Sequence, residues 1–212
     1  MEHELGRLAE QIKWDFASVA SCTVNLSDSL GRELAIQLDE KSVKPGELAK
    51  HPEIITDLLD SVFPTMAAEI RSTRSSGIFL ILDATVNPSV KNAENSRAGI
   101  FIRNIAAQNQ LSVSYYDLRY LYGPMPIAQS RKMQILPQWK MEFDVSAIEA
   151  YNTIMQSAKE NMNRPLSQLY YWTPKEADGG VDYGMYCCIP IFLDGEVIGI
   201  CGYEINTMQF KG

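Results

Sequence analysis

A chain of 212 residues with 46% hydrophobic and 21% charged residues has the make-up of an ordinary globular protein. It is simplest as one domain, or two small ones, with room for a real core. A net charge of −7 and scattered Lys and Arg residues exclude a basic nucleic-acid surface, and no run reaches the roughly 18–20 apolar residues of a membrane span.

From Glu4 to about Glu40, the residues Leu5, Leu8, Ile12, Phe16, Val19, Leu26, Leu30, Leu34 and Leu38 recur at threes and fours, with Thr23 filling the one gap. This spacing predicts a long amphipathic helix. At about 1.5 Å per residue it would span roughly 50 Å, longer than a domain of this size is wide. Ser27-Asp28-Ser29 offers a cap cluster that would split it into two helices; the sustained periodicity favours one. Lys44-Pro45-Gly46 ends the segment. A second helix is predicted from Pro52 to Arg71, with Ile55, Leu58, Leu59, Val62, Phe63, Met66 and Ile70 as its apolar stripe and Pro64 as a kink.

Two strands follow, Ser75–Asn87 and Arg97–Ile105, separated by a polar loop with Pro88. Ala106–Phe143 reads as an irregular insert. Asp144–Met162 is a helix capped by Asp144 or Ser146, and Leu166–Pro174 is a third strand. Then comes "YCCIPIFLDGEVIGICGYEI", Tyr186 to Ile205, in which Asp194-Gly195 marks a hairpin turn. A two-residue turn there sets Leu193 opposite Glu196, Pro190 opposite Gly199 and Cys188 opposite Cys201. One face would carry Tyr186, Cys188, Pro190, Phe192, Val197, Gly199, Cys201 and Tyr203. The other would carry Met185, Cys187, Ile189, Ile191, Ile198 and Ile200. Neither is polar, so the sheet is expected to be covered on both sides.

The predicted fold is therefore α+β: a PAS-like five-stranded antiparallel sheet in the order β-β-α-β-β-β behind a long N-terminal helix. The preceding helices would cover one face and the helical insert the other. Cys22, Cys187, Cys188 and Cys201 lack metal-ligand spacing. In the register above, Cys188 and Cys201 are close enough for a cross-strand disulfide; the preferred reading is free, buried thiols.

Catalytic signatures are missing. His3 and His51 are the only histidines and lie outside the sheet and insert. Zinc-protease, nucleophile-elbow, phosphate-loop and dinucleotide motifs are absent from the sequence. Neither an enzyme nor a cofactor or metal site is predicted. Aromatic and polar residues instead collect around the insert and third strand: Tyr115, Tyr116, Arg119, Tyr120, Tyr122, Trp139, Tyr170, Tyr171, Trp172, Asp178 and Asp182, with Tyr186 on the hairpin. Rings can box an amine, Arg can grip a carboxylate and Asp can take an ammonium. The ligand-binding candidates are Tyr171, Trp172, Asp182, Asp178, Arg119, Tyr120, Trp139 and Tyr186.

The stretch "YYWTPKEADGGVDYGMYCCIPIFLDGEVIGICGYEI" (Tyr170–Ile205) resembles the signature end of Cache domains, extracellular PAS-like sensor modules of prokaryotic membrane receptors. The resembling elements are Trp172-Thr173-Pro174, a polar loop, Ile189-Pro190-Ile191, Asp194-Gly195 and Ile198 to Ile205. The long helix and "GIFLILDA" (Gly77–Ala84) fit the same family. The resemblance implies a long signalling helix at 1–50 and a single Cache-like sensor domain at 51–212. It implies an extracellular or periplasmic domain that senses a small metabolite for a membrane-anchored histidine kinase, chemoreceptor or cyclic-dinucleotide enzyme. A homodimer through the N-terminal helix would follow. The family's amino-acid-binding branch carries an Arg-x-Trp-Tyr element; Arg119-Tyr120-Leu121-Tyr122 keeps its Arg and last Tyr but has Leu for Trp, so no ligand class follows. The alternative is a cytosolic PAS-like regulatory module.

Overall fold

The computed structural model describes residues 2–73, 75–106, 114–174 and 184–206. Helix α1 (Glu2–Glu40) runs unbroken for 39 residues, about 58 Å at 1.5 Å per residue. Ser27 does not cap a break. It is buried, and its hydroxyl donates to the Pro190 carbonyl at 2.7 Å, tying the helix to the hairpin. Leu26, Leu30, Leu34 and Leu38 form one fully buried stripe, each worth roughly 1.5–3 kcal/mol relative to exposure. Helix α2 (Pro52–Ser72) continues through Pro64 and buries all seven residues of its predicted stripe.

The strands are β1 (Gly77–Leu82), β2 (Ser96–Arg97), β3 (Gly99–Asn104) and β4 (Leu118–Tyr122). After helix α3 (Met125–Ser130) come β5 (Gln134–Lys140) and β6 (Phe143–Asp144). Helix α4 (Glu149–Glu160) precedes β7 (Tyr171–Pro174), β8 (Gly184–Leu193) and β9 (Glu196–Asn206). The main sheet has seven strands in the order β5-β4-β3-β1-β9-β8-β7, and β2 pairs with β6 in a small ribbon. Every pairing is antiparallel except β4 with β5. The α+β class and the long leading helix are as predicted. The strand number is corrected from five to seven, because the insert supplies β4 and β5.

Both sheet faces are covered, as the two dry faces of the hairpin required. On one side α1 and α2 pack on Ile78, Leu80, Ile100, Ile102, Tyr120, Ile189 and Ile191. On the other, Tyr151, Ile154 and Met155 of α4 pack on Phe79, Ile81, Phe101 and Cys188. Central strand β1 is buried along its whole length, the expected state of a strand with cover above and below.

The hairpin turn is as predicted. Asp194 and Gly195 have φ of 51° and 79°, the left-handed pair of a type I′ turn, and Leu193 faces Glu196. Phe192 then pairs with Val197 but Ile191 pairs with Gly199, leaving Ile198 as an extra residue. This bulge moves every later residue of β9 to the opposite face. Pro190 consequently pairs with Ile200 and Ile189 with Cys201, correcting the predicted pairs Pro190–Gly199 and Cys188–Cys201. Cys201 belongs to the helix-side core and Cys188 to the α4-side core, and all four cysteines are free. Just past the bulge, Gly199 pairs with Leu82 of β1. A Cβ there would run into the Ile81 carbonyl and stand 2.9 Å from Leu82 Cα.

Two smaller boundaries also shift. Asp144 caps a short 3-10 turn, Val145–Ala147, by accepting from the Ser146 amide, and α4 proper starts at Glu149 without a side-chain cap. Residues Leu166–Gln168 form another 3-10 turn, so the predicted third strand begins only at Tyr171.

Candidate functional site

Alternation along β1 sends Ile78, Leu80 and Leu82 toward the long helix and Phe79 and Ile81 toward α4. On this second face a cavity of about 230 Å³ opens between the sheet and the start of α4. Its floor is Phe79, Ile81, Phe101, Tyr186, Cys188 and Ile200; Leu121, Tyr122 and Phe143 wall one side, and Ile148 and Ala150 roof it. Arg103 and Thr173 complete the lining. Mostly apolar concavities with a few convergent polar groups are the usual form of small-ligand sites.

The aromatic rings brace one another. Tyr122 and Phe143 stack with centroids 4.3 Å apart and planes 9° from parallel. Phe79 meets Tyr186 edge-on at 5.9 Å and Phe101 at 6.0 Å. Offset and edge-on contacts of this kind favour fixed ring positions, so the walls are set before a ligand enters.

One polar network sits at the cavity's edge. Arg103 donates from Nε and Nη2 to Glu204 Oε2 at 3.2 and 3.0 Å. The Tyr186 hydroxyl donates to the same oxygen at 3.3 Å, and Ser76 Oγ donates to Glu204 Oε1 at 3.2 Å. The Glu204 side chain is only 4% exposed, and a buried carboxylate persists only when its oxygens are so engaged. Burial works to lower the Arg103 pKa, but the Glu204 charge and hydrogen bonds outweigh it and hold the guanidinium above its ordinary value. Burial first, and then the Glu204 charge, push the Tyr186 phenol well up. Arg103 also lies over the Phe101 ring, 5.3 Å from its centroid.

The roof is pinned separately. Tyr151 of α4 donates to Asp83 Oδ1 at 2.9 Å, and Arg97 Nε donates to that oxygen at 2.8 Å. Glu142 accepts from Thr85 Oγ1, from Ser96 Oγ and, at 2.7 Å, from the Val86 amide. These contacts fix the approach to α4 against the end of β1.

The sequence-predicted residues separate between the two faces. Tyr186 lines the cavity, as does Tyr122. Tyr171 pairs with Cys188 and so shares the cavity's face, 43% exposed outside its lining. Trp172 points the other way and packs on Phe16 of α1 with centroids 4.7 Å apart. Tyr120 is fully buried against α2, beside Phe63, and donates to the Pro124 carbonyl. Trp139 also packs on the helix-side core and donates to the Gly123 carbonyl at 3.1 Å. Arg119 donates to the Tyr116 and Leu118 carbonyls of its own segment. Asp178 and Asp182 lie outside the described residues. The residues that sequence reasoning missed are Phe79, Phe101, Arg103 and Glu204. The available signal was a pair of opposite charges, each inside an otherwise apolar strand ("GIFIRNI" and "CGYEI").

A second, larger groove of about 380 Å³ runs between the N-terminal half of α1 and the end of α2, where Trp14, Asp15, Cys22, Thr73 and Tyr203 line it. It lies on the helix side, where Tyr203 donates to Glu69 and Thr73 bonds the Glu69 carbonyl and Ser75. Among the described residues, no cluster of three or more His, Cys, Asp or Glu could hold a metal ion, and no helix is long and apolar enough to cross a membrane.

No protein-family model matches the chain, and no curated protein matches it. Among solved structures it is similar to the periplasmic sensory domain of the Campylobacter jejuni chemoreceptor Tlp1. That overlay has 13% identity and a TM-score of 0.50, covering 97% of this chain and 59% of that one. The sensory domain of Tlp3 from the same organism gives 12% identity and a TM-score of 0.40, over 94% of this chain and 65% of that one. The Tlp3 ligand-binding domain in complex with L-norvaline gives 12% and 0.37, over 93% and 62%. The chain thus spans less than two thirds of each of these domains, and the fold assignment rests on the Tlp1 overlay. This chain has the fold of a chemoreceptor periplasmic sensory domain, the class to which its Cache-like ending pointed.

Proposed function

We propose that this chain is the ligand-binding part of an extracytoplasmic sensor in a membrane signalling receptor, a histidine kinase, chemoreceptor or cyclic-dinucleotide enzyme. It does no chemistry itself; a small metabolite occupies the cavity between the sheet and α4. The observation that carries this reading is the mostly apolar cavity edged by Arg103 and Tyr186, both bonded to the buried Glu204, on the sheet face opposite the long helix.

In this reading the sheet is the transmitter. Its α4 side meets the ligand, and its other side grips Leu26, Leu30, Leu34 and Leu38 of α1. A ligand that prefers one seating of sheet against helix shifts the balance between the two; equal affinity for both would signal nothing. The helix carries the shift toward the membrane that anchors the parent protein. Two copies associate through the outer part of α1, where Trp14 is 72% exposed.

The test is the melting temperature of the purified chain against amino acids, organic acids, amines, purines and sugars. A ligand at about 100 times its dissociation constant adds roughly 2.7 kcal/mol, a shift of several degrees. One chemical class is expected to stabilise the chain, and a flat response to all five would contradict the reading.

A further inference from the structure

We propose that the cavity takes an apolar monocarboxylate that lacks an α-ammonium group, with Arg103 Nη1 as its anchor; this rests on the sensor reading above. Arg103 is the one charged lining residue among those described. Its Nε and Nη2 both serve Glu204, and the Tyr186 hydroxyl also interacts with the guanidinium, which leaves Nη1 the least engaged of its nitrogens. The guanidinium is therefore held in place from behind and has Nη1 to offer, an arrangement suited to a carboxylate.

A cation fits poorly. Glu204 is not part of the lining, and its side chain already accepts from Arg103, Tyr186 and Ser76. Aromatic walls can hold an ammonium, but the face of Phe101 already carries the Arg103 guanidinium. An amine would meet that positive charge first. An α-amino acid would satisfy Arg103 with its carboxylate yet bury its ammonium without a carboxylate among the described lining residues, beside only the neutral hydroxyls of Tyr122, Thr173 and Tyr186, a costly state for a charge. The rest of the ligand faces Phe79, Tyr122, Phe143 and Ile200 and must itself be apolar. At about 230 Å³ the space is below the usual range for drug-sized ligands, so one ring or a short branched chain fills it.

Isothermal titration of the chain with two isosteric sets tests this. One set is 3-phenylpropanoate, L-phenylalanine and phenethylamine; the other is 4-methylpentanoate, L-leucine and isoamylamine. In at least one set the acid is expected to bind tenfold or more tightly than its amino acid and amine. The double substitution Arg103→Gln with Glu204→Gln removes both charges together, and it should weaken that acid at least tenfold. Arg103→Lys keeps the ion pair but loses the planar fork, and should weaken it too if the double variant does not fold. Undiminished acid binding in the folded variants overturns the anchor. An amino acid or amine that binds as tightly as the acid overturns the ligand class and leaves the sensor reading standing. If neither acid binds, the carboxylate assignment falls, and the wider melting panel then decides the sensor reading separately.

Discussion

Arg103 and Glu204 meet across the backbone of Gly77. In the sheet Gly77 of β1 pairs with Arg103 on β3 and with Glu204 on β9, so the two charged side chains lie one strand apart on either side of it. Only the bare backbone of a glycine lets them close to 3.0 Å over the top.

Gly77→Ala should therefore damage the site. Its Cβ would stand 2.6 Å from Phe101 Cε2 and 3.2 Å from Glu204 Cβ, so the Phe101 ring must move and the ion pair with it. Overpacking of this kind costs typically 1–3 kcal/mol. Urea denaturation should show a loss in that range, and the affinity for any cavity ligand should fall. Unchanged stability would mean that the strand spacing around Gly77 is looser than described.

Gly199→Val should be more harmful than Gly77→Ala. The side chain at Gly199 would be driven into the backbone of β1, at the Ile81 carbonyl, and no rotamer change relieves a backbone collision. The expected outcome is loss of a cooperative thermal transition. A folded Gly199→Val protein would count against the close approach of β1 at Gly199.

Trp172→Ala should lower stability and leave the cavity alone. Trp172 is partly buried against Phe16 and the helix-side core, so its loss should cost about 2 kcal/mol, below the 3–5 of a fully buried aromatic. Affinity for a cavity ligand should change less than threefold at temperatures where the variant is folded. A tenfold loss would place the ligand on the wrong side of the sheet.

Native-state alkylation should distinguish the thiols. Burial pushes Cys187 up to about 11 and raises Cys188 and Cys201 further, while the partly buried Cys22 is raised by burial and then by Glu69. The thiolate is the reactive form, so near pH 8 Cys22 should label first and the three sheet thiols only on unfolding. Because these folded-state values are raised, the stability they contribute is complete below the ordinary thiol range and declines as pH rises through it. Rapid native labelling of Cys201 would contradict its burial between sheet and α1.

The helices and the hairpin turn were legible because each rests on a local signal. The leucine stripe of α1 and the Ile55–Ile70 stripe of α2 repeat at helical spacing, and Asp194-Gly195 names its own turn. The bulge was not legible. It sits in β9 between β8 and β1, and β1 lies over a hundred residues earlier in the chain. Strands β4 and β5 were missed for a related reason: β5 is an edge strand, mostly exposed, with Pro137 inside it, and neither alternation nor an apolar run marks such a segment. In the site, Tyr186 could be found as an aromatic on a dry hairpin. The faces of Tyr171 and Trp172 could not, because adjacent strand residues must point opposite ways and only the partner strand decides which. Arg103 and Glu204 looked like charges near strand ends until Gly77 set them side by side.

The most direct test of the central claim compares ligand-induced melting shifts in the wild-type chain and in Ala150→Leu, which extends the cavity roof into the space below. The account predicts that one class of small molecule raises the wild-type melting temperature by several degrees, and that the shift is lost in the folded Ala150→Leu variant. An equal shift in both proteins would contradict it, because the ligand would then bind somewhere other than between the sheet and α4.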